Sequence, residues 1–477
     1  MKKKRDYDVA IIGSGIGGLV CGCYLAKAGL KTAIIEKHHS PGGYCTSFKR
    51  RGYRFDTSVH YIGGIKKGAL SEILMNLEME TSLKFHQDDP SDGIFLPDTS
   101  TYIRANSQDT IKEFKKSFPS ESKDIERFFR FIMQNDIASI YRKTIEITLE
   151  ELLNDFFSDT NLRATIGIPF LGNMGLPPGK ISAFAAIVFF REFLLDPGYY
   201  PVGGMQAFAD CLANRFKGYG GDLVLSKEIS KIILNNNVAE GVVTSSGKEI
   251  KSKFVVSNID ATRTFKHLIK SKTKEALVVD KMVPSNSIFA VYVGLKRTFK
   301  DSFKNLYDTW LFKNYDLNDS YKYLTKNIAE GQISGVMVSF PSFKDLSFTK
   351  TSKFTAEIFT MAPYVSENFW AINQELVTEA VLNFVDENIP GFKKYVDFKL
   401  VATPHTYYRY TMNREGAAFG WASIINQIKS SLLPQVSSVK NLFVVGHWCT
   451  MGTGQGGVST VALAGKKVYE RITNLLL

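Results

Sequence analysis

The sequence predicts an α/β fold in which a parallel sheet with its helices is interleaved with a second, α+β domain. An apolar strand at residues 8–12 runs into a glycine-rich turn and a helix, and a similar arrangement recurs at 441–458. The 477 residues exceed what a single hydrophobic core usually holds, so two or three domains are expected. No internal repeat or low-complexity linker separates the two turns, which favours domains that interleave rather than follow one another.

The N-terminal turn has the residues that a Rossmann-type dinucleotide-binding unit needs. Gly13 permits the tight turn, Gly15 lets a pyrophosphate approach the backbone, and Gly18 lets the helix pack closely on the strand. The pyrophosphate would lie against the N–H groups that open the helix. Glu36, after the second strand, is placed to accept hydrogen bonds from an adenosine ribose, and an acid there disfavours NADP. The alternative is a βαβ unit that binds no nucleotide. The predicted cofactor contacts in this turn are Gly13, Ser14, Gly15, Gly17 and Gly18.

The C-terminal turn indicates which dinucleotide is bound. One glycine-rich turn suffices for NAD, whereas FAD also has a ribityl chain and a flavin ring to hold and can use two. FAD is therefore the predicted cofactor, and NAD(P)H is left open as a transient reductant. No second fingerprint for a resident NAD(P)H domain is visible. The predicted contacts at this end are Gly446, His447, Gly456, Gly457 and Val458.

Charge and cysteine usage narrow the class of protein. The net charge of +12 fits an anionic surface such as phospholipid headgroups, or simply a solubilising surface. We expect no nucleic-acid partner and leave peripheral membrane contact and the oligomeric state open. Cys21 and Cys23 fall inside the first helix at positions that face different ways, so no metal site is expected. The five scattered cysteines indicate a reducing, cytoplasmic compartment, and no apolar run approaches the roughly 20 residues of a spanning helix.

The chain divides into five predicted segments. Residues 1–65, 206–272 and 416–477 form the dinucleotide-binding domain, and its middle part reads as a helix followed by a β-meander. Residues 66–205 are mostly helical and face the substrate or a membrane. Residues 273–415 supply the sheet of the substrate domain, with strands at 288–295, 335–340 and 353–361 and a helix at 371–388.

These motifs resemble, over the whole chain and in order, the superfamily of FAD-dependent phytoene desaturases, carotenoid isomerases and retinol saturases, an amine-oxidase-like fold. The residues from Gly42 to Phe48 and from Phe55 to Gly63 are most similar to the retinol saturase branch. The chain departs from the pattern at Tyr44, where many relatives have Arg or Lys, and at His447, where an acid often follows the glycine. The further segments that carry the resemblance are Glu36-Lys37, Gly52–Asp56, Gly220–Leu223, Val255–Asn258 and Val445–Val458.

The resemblance implies an FAD-dependent oxidoreductase that saturates, desaturates or isomerises the double bonds of a hydrophobic polyene such as a retinoid or carotenoid. Flavin chemistry needs position, dryness and one proton donor from the protein. The family pattern places His60 and Tyr61 beside the flavin, so they are the predicted catalytic residues. The alternative for His60 is that it only packs against the cofactor. The remaining predicted cofactor contacts are Lys37, Gly42, Gly43, Tyr44, Thr46, His60 and Ile229.

Two segments are candidates for the substrate tunnel. Residues 184–195 are too apolar for an ordinary surface helix and would line the tunnel, lie in a membrane interface or form a core helix. Tyr407, Tyr408, Arg409 and Tyr410 would line the tunnel or form an alternating strand, and His405 is expected in a loop. Two other functions stay open: an amine-oxidase-like flavoenzyme, and a flavin-binding protein without catalytic activity.

Overall fold

Two seven-stranded sheets, each with its own hydrophobic core, organise the chain. The computed structural model describes residues 5–296, 299, 308–345, 353–430, 433–449 and 457–476. The strands in this part of the chain are β1 (Tyr7–Ile12), β2 (Thr32–Ile35), β3 (Ser47–Arg50), β4 (Tyr53–Asp56), β5 (Phe85–Gln87), β6 (Asp92–Phe95), β7 (Ser100–Ile103), β8 (Tyr199–Pro201), β9 (Asp222–Val224), β10 (Ile229–Asn235), β11 (Val238–Thr244), β12 (Glu249–Ser257), β13 (Ser287–Leu295), β14 (Asp308–Phe312), β15 (Gly335–Ser339), β16 (Phe354–Ala362), β17 (Val396–Ala402) and β18 (Leu442–Val444).

The helices pack around and between the sheets. Those in the described part of the chain are α1 (Ile16–Lys27), α2 (Ala69–Asn76), α3 (Ser107–Ser117), α4 (Ser122–Gln134), α5 (Ile137–Thr144), α6 (Leu149–Phe156), α7 (Thr160–Met174), α8 (Ala183–Leu195), α9 (Met205–Gly218), α10 (Lys274–Lys281), α11 (Leu317–Lys322), α12 (Pro341–Lys344), α13 (Glu367–Asn388), α14 (Pro404–Thr411), α15 (Ile425–Ser430) and α16 (Val458–Asn474). None of the helices described is both long enough and apolar enough to cross a membrane.

The first sheet is the predicted Rossmann-type sheet. Its parallel part runs in the order β18-β12-β1-β2-β9, and β10 and β11 extend β12 as an antiparallel meander. β1 is central, and residues 9–12 are buried because sheet strands flank it on both sides and helices cover its faces. The α/β class of the prediction is confirmed. The strands of this sheet come from residues 7–35, 222–257 and 442–444, whereas the exact domain boundaries stay a prediction.

The second sheet is mostly antiparallel, in the order β17-β13-β16-β15-β14-β6-β7. Every residue of β13 and β16 is buried, and α13 covers the sheet by stacking Trp370 on Phe289 with ring centroids 5.3 Å apart. α13 begins four residues before the predicted start, because the Ser366 hydroxyl accepts a hydrogen bond from the Phe369 N–H and caps the helix there. The predicted strands at 288–295, 335–340 and 353–361 correspond to β13, β15 and β16.

The structure differs from the sequence-based expectations in two segments of the chain. Residues 92–103, inside the segment expected to be mostly helical, form the β6–β7 hairpin at the edge of the second sheet. Residues 404–411 form α14, so the strand alternative for Tyr407–Tyr410 and the loop expected at His405 are wrong. The cause is local: the Thr403 hydroxyl accepts from the Thr406 N–H in a capping box, and Pro404 occupies the first helical turn, where its missing N–H costs nothing.

Candidate active site

One continuous cavity of about 1020 Å³ joins the glycine-rich turn after β1 to the second sheet. Its polar end is lined by the fingerprint, by residues 36–39 and by residues 446–448. Its apolar end is lined by Phe189 of α8, by Leu400 and Ala402 of β17 and by Phe419. The volume and the mixed lining are typical of a site that binds a cofactor and an apolar ligand together.

Two helix N-termini open into the polar end of the cavity. α1 begins after Gly15 and α16 begins after Gly457, and neither helix has a side-chain hydrogen bond at its cap. The first N–H groups of both helices are therefore free of intrahelical partners, and each terminus carries partial positive charge. Such a pair fits an anionic, extended group such as the pyrophosphate of a dinucleotide.

The glycines of the fingerprint have the roles that the sequence predicts for the backbone. Gly13 has a φ of +91°, which favours glycine. A Cβ at Gly18 would lie 2.4 Å from the Gly13 carbonyl oxygen, so α1 packs on the turn too closely for any side chain. A Cβ at Gly465 of α16 would lie 2.4 Å from the Gly17 carbonyl oxygen. The two ends of the chain are thus in direct backbone contact beside the cavity.

Asn258, which ends one of the segments that carry the resemblance, lines the cavity although it is not among the predicted cofactor contacts. It follows β12, and its Nδ2 donates to the Gly13 carbonyl oxygen at 3.3 Å. A Cβ at Gly15 would approach Asn258 Nδ2 to 2.9 Å, and one at Gly446 would approach Oδ1 to 2.7 Å. Asn258 therefore holds three separate segments together. Its place at the carboxyl end of a strand next to β1 is the signal that could have identified it.

Glu36 is held in place by the turn it faces. Its Oε2 accepts hydrogen bonds from both the N–H and the hydroxyl of Ser14, each at 2.8 Å, and its Oε1 accepts from the His38 N–H at 2.9 Å. The carboxylate lines the cavity and keeps lone pairs free, since each oxygen can accept more than one hydrogen bond. This geometry is compatible with ribose recognition, which stays a prediction.

The cavity brings most of the predicted cofactor contacts together. Ser14 and Gly18 do not line it: Ser14 turns toward Glu36, and Gly18 serves the packing of α1. Gly456 lies outside the described residues. The predicted contacts that line the cavity are Gly13, Gly15, Gly17, Glu36, Lys37, Gly42, Gly43, Tyr44, Thr46, His60, Ile229, Gly446, His447, Gly457 and Val458.

Tyr44 and His447, the two departures from the family pattern, lie against each other. Their rings are 5.8 Å apart, and the Tyr44 hydroxyl donates to the Ala417 carbonyl oxygen at 2.8 Å and accepts from Asn413 at 3.1 Å. Burial raises the pKa of Tyr44 to about 12 and lowers the pKa of His447 to about 4. Both side chains are therefore neutral near pH 7, and this part of the cavity wall carries no charge.

His60 is backed by a buried ion pair. Its Nδ1 donates to Asp308 Oδ2 at 2.7 Å, and Lys344 Nζ donates to Asp308 Oδ1 at 2.6 Å and to the His60 carbonyl oxygen at 2.8 Å. Burial opposes a charge on Asp308, but the Lys344 ammonium and then His60 outweigh it and hold the pKa of Asp308 below its usual range. The carboxylate is thus ionised, and it fixes the orientation of the imidazole that lines the cavity.

Tyr61 donates its proton away from the cavity. Its hydroxyl donates to Asp92 Oδ1 at 3.2 Å, and Trp310 Nε1 donates to the same oxygen at 2.8 Å. Burial, and then the charges of Asp92 and Asp308, raise the pKa of Tyr61 well above its usual value. Asn173 lies next to both predicted catalytic residues, with its Oδ1 3.3 Å from His60 Nε2.

The two tunnel candidates both contribute to the cavity wall. α8 buries Phe184, Ile187 and Phe190 in the core and presents Phe189 and Glu192 to the cavity, so it is partly a core helix and partly a lining helix. From α14, Tyr407, Arg409 and Tyr410 line the cavity, and Tyr408 does not; Tyr407 is buried, whereas Tyr408 and Tyr410 are exposed.

Comparison with known proteins agrees with this geometry. The profile of the NAD(P)-binding Rossmann-like domain matches residues 11–77. The chain is 26% identical over 514 residues to prolycopene isomerase 2 of an Oncidium hybrid, covering 99% of this chain and 84% of that protein. It is 22% identical over 531 residues to the zebrafish (Danio rerio) all-trans-retinol 13,14-reductase, covering 99% and 87% respectively.

Solved structures support the fold. An oxidoreductase from Methanosarcina mazei superposes with a TM-score of 0.71 at 19% identity, covering 97% of this chain and 99% of that one. Wild-type putrescine oxidase bound to putrescine superposes with a TM-score of 0.69 at 15% identity, covering 98% and 99%. At these identities the likeness concerns the fold alone, whereas the full-length similarity to the isomerase and the reductase concerns the sequence. The similarity to the isomerase and the reductase extends over nearly the whole chain, in agreement with the resemblance of its motifs to the phytoene desaturase, carotenoid isomerase and retinol saturase superfamily.

Proposed function

We propose that this protein is an FAD-dependent oxidoreductase acting on the carbon–carbon double bonds of a hydrophobic polyene. The observation that carries the proposal is the single cavity that joins a dinucleotide-binding turn to an apolar compartment. The isomerase and the reductase to which the chain is similar are named for reactions of prolycopene and of all-trans-retinol. Saturation, desaturation and isomerisation are three possible outcomes of one assay.

The residues of the polar end fit FAD. The N-termini of α1 and α16 would hold the phosphates, Glu36 the adenosine ribose, and Gly42 and Gly43 give the cofactor close access to the backbone. Bound FAD would supply hydride chemistry at a carbon. We include NAD(P)H only as a transient reductant, because the chain's one recognised nucleotide-binding domain is at residues 11–77.

His60 and Tyr61 remain the proposed polar groups next to the reacting carbon atoms. His60 is the better placed of the two, because Asp308 orients its ring while the ring lines the cavity. The Tyr61 hydroxyl donates to Asp92 and would have to break that hydrogen bond before donating to a substrate. The side chains of the apolar end offer water no hydrogen-bond partner, and a dry site would protect a polyene from side reactions.

A reconstitution experiment tests the cofactor. FAD and NAD are titrated into cofactor-free protein, and Gly15→Ala is compared with Gly218→Ala, a position where a Cβ meets open space. FAD should bind the wild type and Gly218→Ala equally. Gly15→Ala should bind at least about tenfold more weakly, or about 1.4 kcal/mol, because its Cβ occupies the approach of the pyrophosphate. Binding of NAD in preference to FAD would contradict the proposal.

An activity assay tests the reaction. The FAD-loaded protein is incubated anaerobically with retinol or prolycopene, with the flavin oxidised or reduced, and the product is analysed by chromatography and mass spectrometry. Gain or loss of two hydrogen atoms identifies saturation or desaturation, and an unchanged mass with altered retention identifies isomerisation. Unchanged polyene combined with rapid flavin reduction by amines would support the amine-oxidase alternative, which fits the sequence comparison less well.

We also propose that one surface of α5 and α8 contacts a membrane from which the substrate enters. Ile137 and Tyr141 of α5 and Leu195 of α8 are exposed apolar side chains, and Arg142 and Lys143 lie beside them. Apolar side chains flanked by basic ones favour the surface of an anionic bilayer. Leu195→Glu should weaken cosedimentation with vesicles of anionic phospholipid, whereas Ile372→Glu on α13 should not. Equal binding of both variants would contradict the assignment.

A further inference from the structure

Glu192 is an ionisable group in the cavity wall that the sequence analysis did not identify. It lies in the last turn of α8, a helix whose other charged residue, Arg191, donates to the Asn135 carbonyl oxygen on the far side. Phe189, one turn earlier, lines the same wall. Glu192 is therefore the acid that an otherwise apolar helix presents to the cavity.

The position of α8 relates Glu192 to the predicted catalytic residues. Phe189 packs against Phe170 of α7, with ring centroids 6.5 Å apart. Asn173 follows Phe170 by one helical turn, and its Oδ1 is 3.3 Å from His60 Nε2. Asn173 of α7 and Phe189 and Glu192 of α8 thus line the same cavity as His60.

Nothing in the surroundings stabilises a charge on Glu192. Within the described ranges, no hydrogen bond or ion pair engages its carboxyl group. Burial raises the pKa of Glu192 to about 7, and the last turn of a helix is an unfavourable place for a negative charge. An unpaired acid that is half protonated near neutral pH is poised to exchange a proton.

No charged group of the helices packed against α8 forms an ion pair with Glu192 within the described residues: several have other contacts, and Lys123, Arg130 and Asp155 are exposed to solvent. α4, α5 and α6 are those helices. Their contacts are Arg127 with Asp124 and the Phe156 ring, Glu126 with Lys115, Arg142 with Ser139, Lys143 with the Phe131 ring, Glu150 with Asn318, and Glu151 with Thr148. Across the cavity, His60 donates to Asp308 and Tyr61 to Asp92.

We propose that Glu192 is a further catalytic residue, the carboxylic acid that exchanges a proton with a carbon atom of the polyene. This proposal rests on the polyene function proposed above. In the forward step the Glu192 O–H bond breaks, the electron pair of the double bond forms a C–H bond, and the neighbouring carbon becomes electron-poor. In isomerisation the carboxylate takes a proton back after rotation. In saturation, a bound and reduced flavin would supply the hydride that the electron-poor carbon needs, and a proton from water restores the Glu192 carboxyl group.

A neutral acid in an apolar wall suits a substrate without polar groups. A permanently charged group would cost desolvation free energy when an apolar chain covered it. The protonated form of the carboxyl group avoids this cost, and during the reaction its negative charge forms together with the compensating positive charge on the polyene. His60 is the competing donor, and a comparison of the two residues distinguishes them.

Glu192→Gln in the FAD-loaded protein is the test, with His60→Gln as the comparison and Glu72→Gln, an exposed acid of α2, as the matched control. We expect Glu192→Gln to lower kcat about 100-fold or more, within the range for general acid catalysis, while KM and the flavin absorption spectrum change little. The wild-type rate should depend on pH near neutrality, and this dependence should be absent from Glu192→Gln. In heavy water, deuterium should enter the product carbon in the wild type and not in Glu192→Gln.

Infrared difference spectra of the FAD-loaded protein give a readout independent of turnover. Between the two sides of neutral pH, protonated-carboxyl absorption should be lost in the wild type and in Glu72→Gln. The loss should be smaller in Glu192→Gln, where Asp88, whose pKa burial also raises to about 7, contributes the remainder. If the wild type converts polyene and Glu192→Gln does so at the same rate and pH dependence, the assignment of Glu192 is wrong while the proposed function stands. If kcat falls in His60→Gln and not in Glu192→Gln, His60 is the proton donor and the assignment of Glu192 is wrong. If the wild type converts no polyene, both proposals fail.

Discussion

Removal of the Asp308 charge should destabilise the protein through the cation it leaves behind. In Asp308→Asn the side chain keeps its shape, and its amide oxygen can still accept from Lys344. The Lys344 ammonium, whose side chain is 2% exposed, then has no ionised partner in contact. An isolated charge in such a position costs far more than a lost hydrogen bond.

The magnitude follows from the groups around Lys344. Breaking a buried ion pair by removing one partner typically costs about 3–5 kcal/mol. Asp92 and Asp88 moderate the cost here. Burial first, and then the charge of Asp308, raise the pKa of both, so removal of that charge lets one of them ionise more readily. We therefore expect the unfolding free energy of Asp308→Asn to be about 3 kcal/mol lower than that of the wild type. The double variant Asp308→Asn/Lys344→Met, which buries no unpaired cation, should recover most of the loss.

Urea denaturation followed by tryptophan fluorescence measures the effect. Trp310 lies 6.3 Å from the His60 ring and donates to Asp92, so it reports directly on this region. The midpoint for Asp308→Asn should fall well below that of the wild type, with an unchanged slope. A loss below about 1 kcal/mol, or a double variant as unstable as the single one, would refute the reasoning that Lys344 needs Asp308 as its counter-ion.

Three further predictions concern packing and pH. Gly18→Ala should lower the unfolding free energy by about 2 kcal/mol or more because its Cβ would lie 2.4 Å from the Gly13 carbonyl oxygen, and equal denaturation midpoints for it and Gly218→Ala would contradict this. The pKa of Glu192 is about 7 in the folded protein and 4.5 ordinarily. The unfolding free energy of the wild type therefore falls by at most about 3 kcal/mol as the pH rises from 4.5 to 7. Glu192→Gln should therefore be more stable than the wild type above pH 7 and equally stable below pH 4.5; equal stability at every pH would be the contrary result. The folded pKa of His447, about 4, lies below its ordinary 6.5, so stability should fall as the pH drops through that window, and His447→Gln should flatten this fall in acid denaturation midpoints.

Local chemistry allowed the nucleotide-binding half of the fold to be predicted. Gly13 and Gly18 are required by backbone geometry that no other residue satisfies, so their spacing carries structural information by itself. The second glycine-rich turn predicted that both chain ends hold one cofactor, which stays a prediction. The close backbone approach of Gly465 to Gly17 brings the two ends together, as that prediction requires.

The features that the sequence did not predict depend mostly on contacts between residues that are far apart in the chain. His60 was identified from a family pattern, but its partners Asp308 and Lys344 lie 248 and 284 residues away, and neither belongs to a motif. Glu192 was missed because an acid in an apolar run reads as the end of that run. Its proposed role follows only from the cavity that α8 lines in the folded protein. The helix at Tyr407 was missed because the capping residues precede a run of aromatic residues that also suits a strand.

The measurement that bears most directly on flavin-dependent polyene chemistry is the mass and retention of a polyene recovered from the FAD-loaded protein, compared with cofactor-free protein. We expect a product that differs from the substrate by two hydrogen atoms, or an isomer of unchanged mass, and only when FAD is bound. Recovery of unchanged retinol and prolycopene with the flavin in either oxidation state would contradict the proposed function.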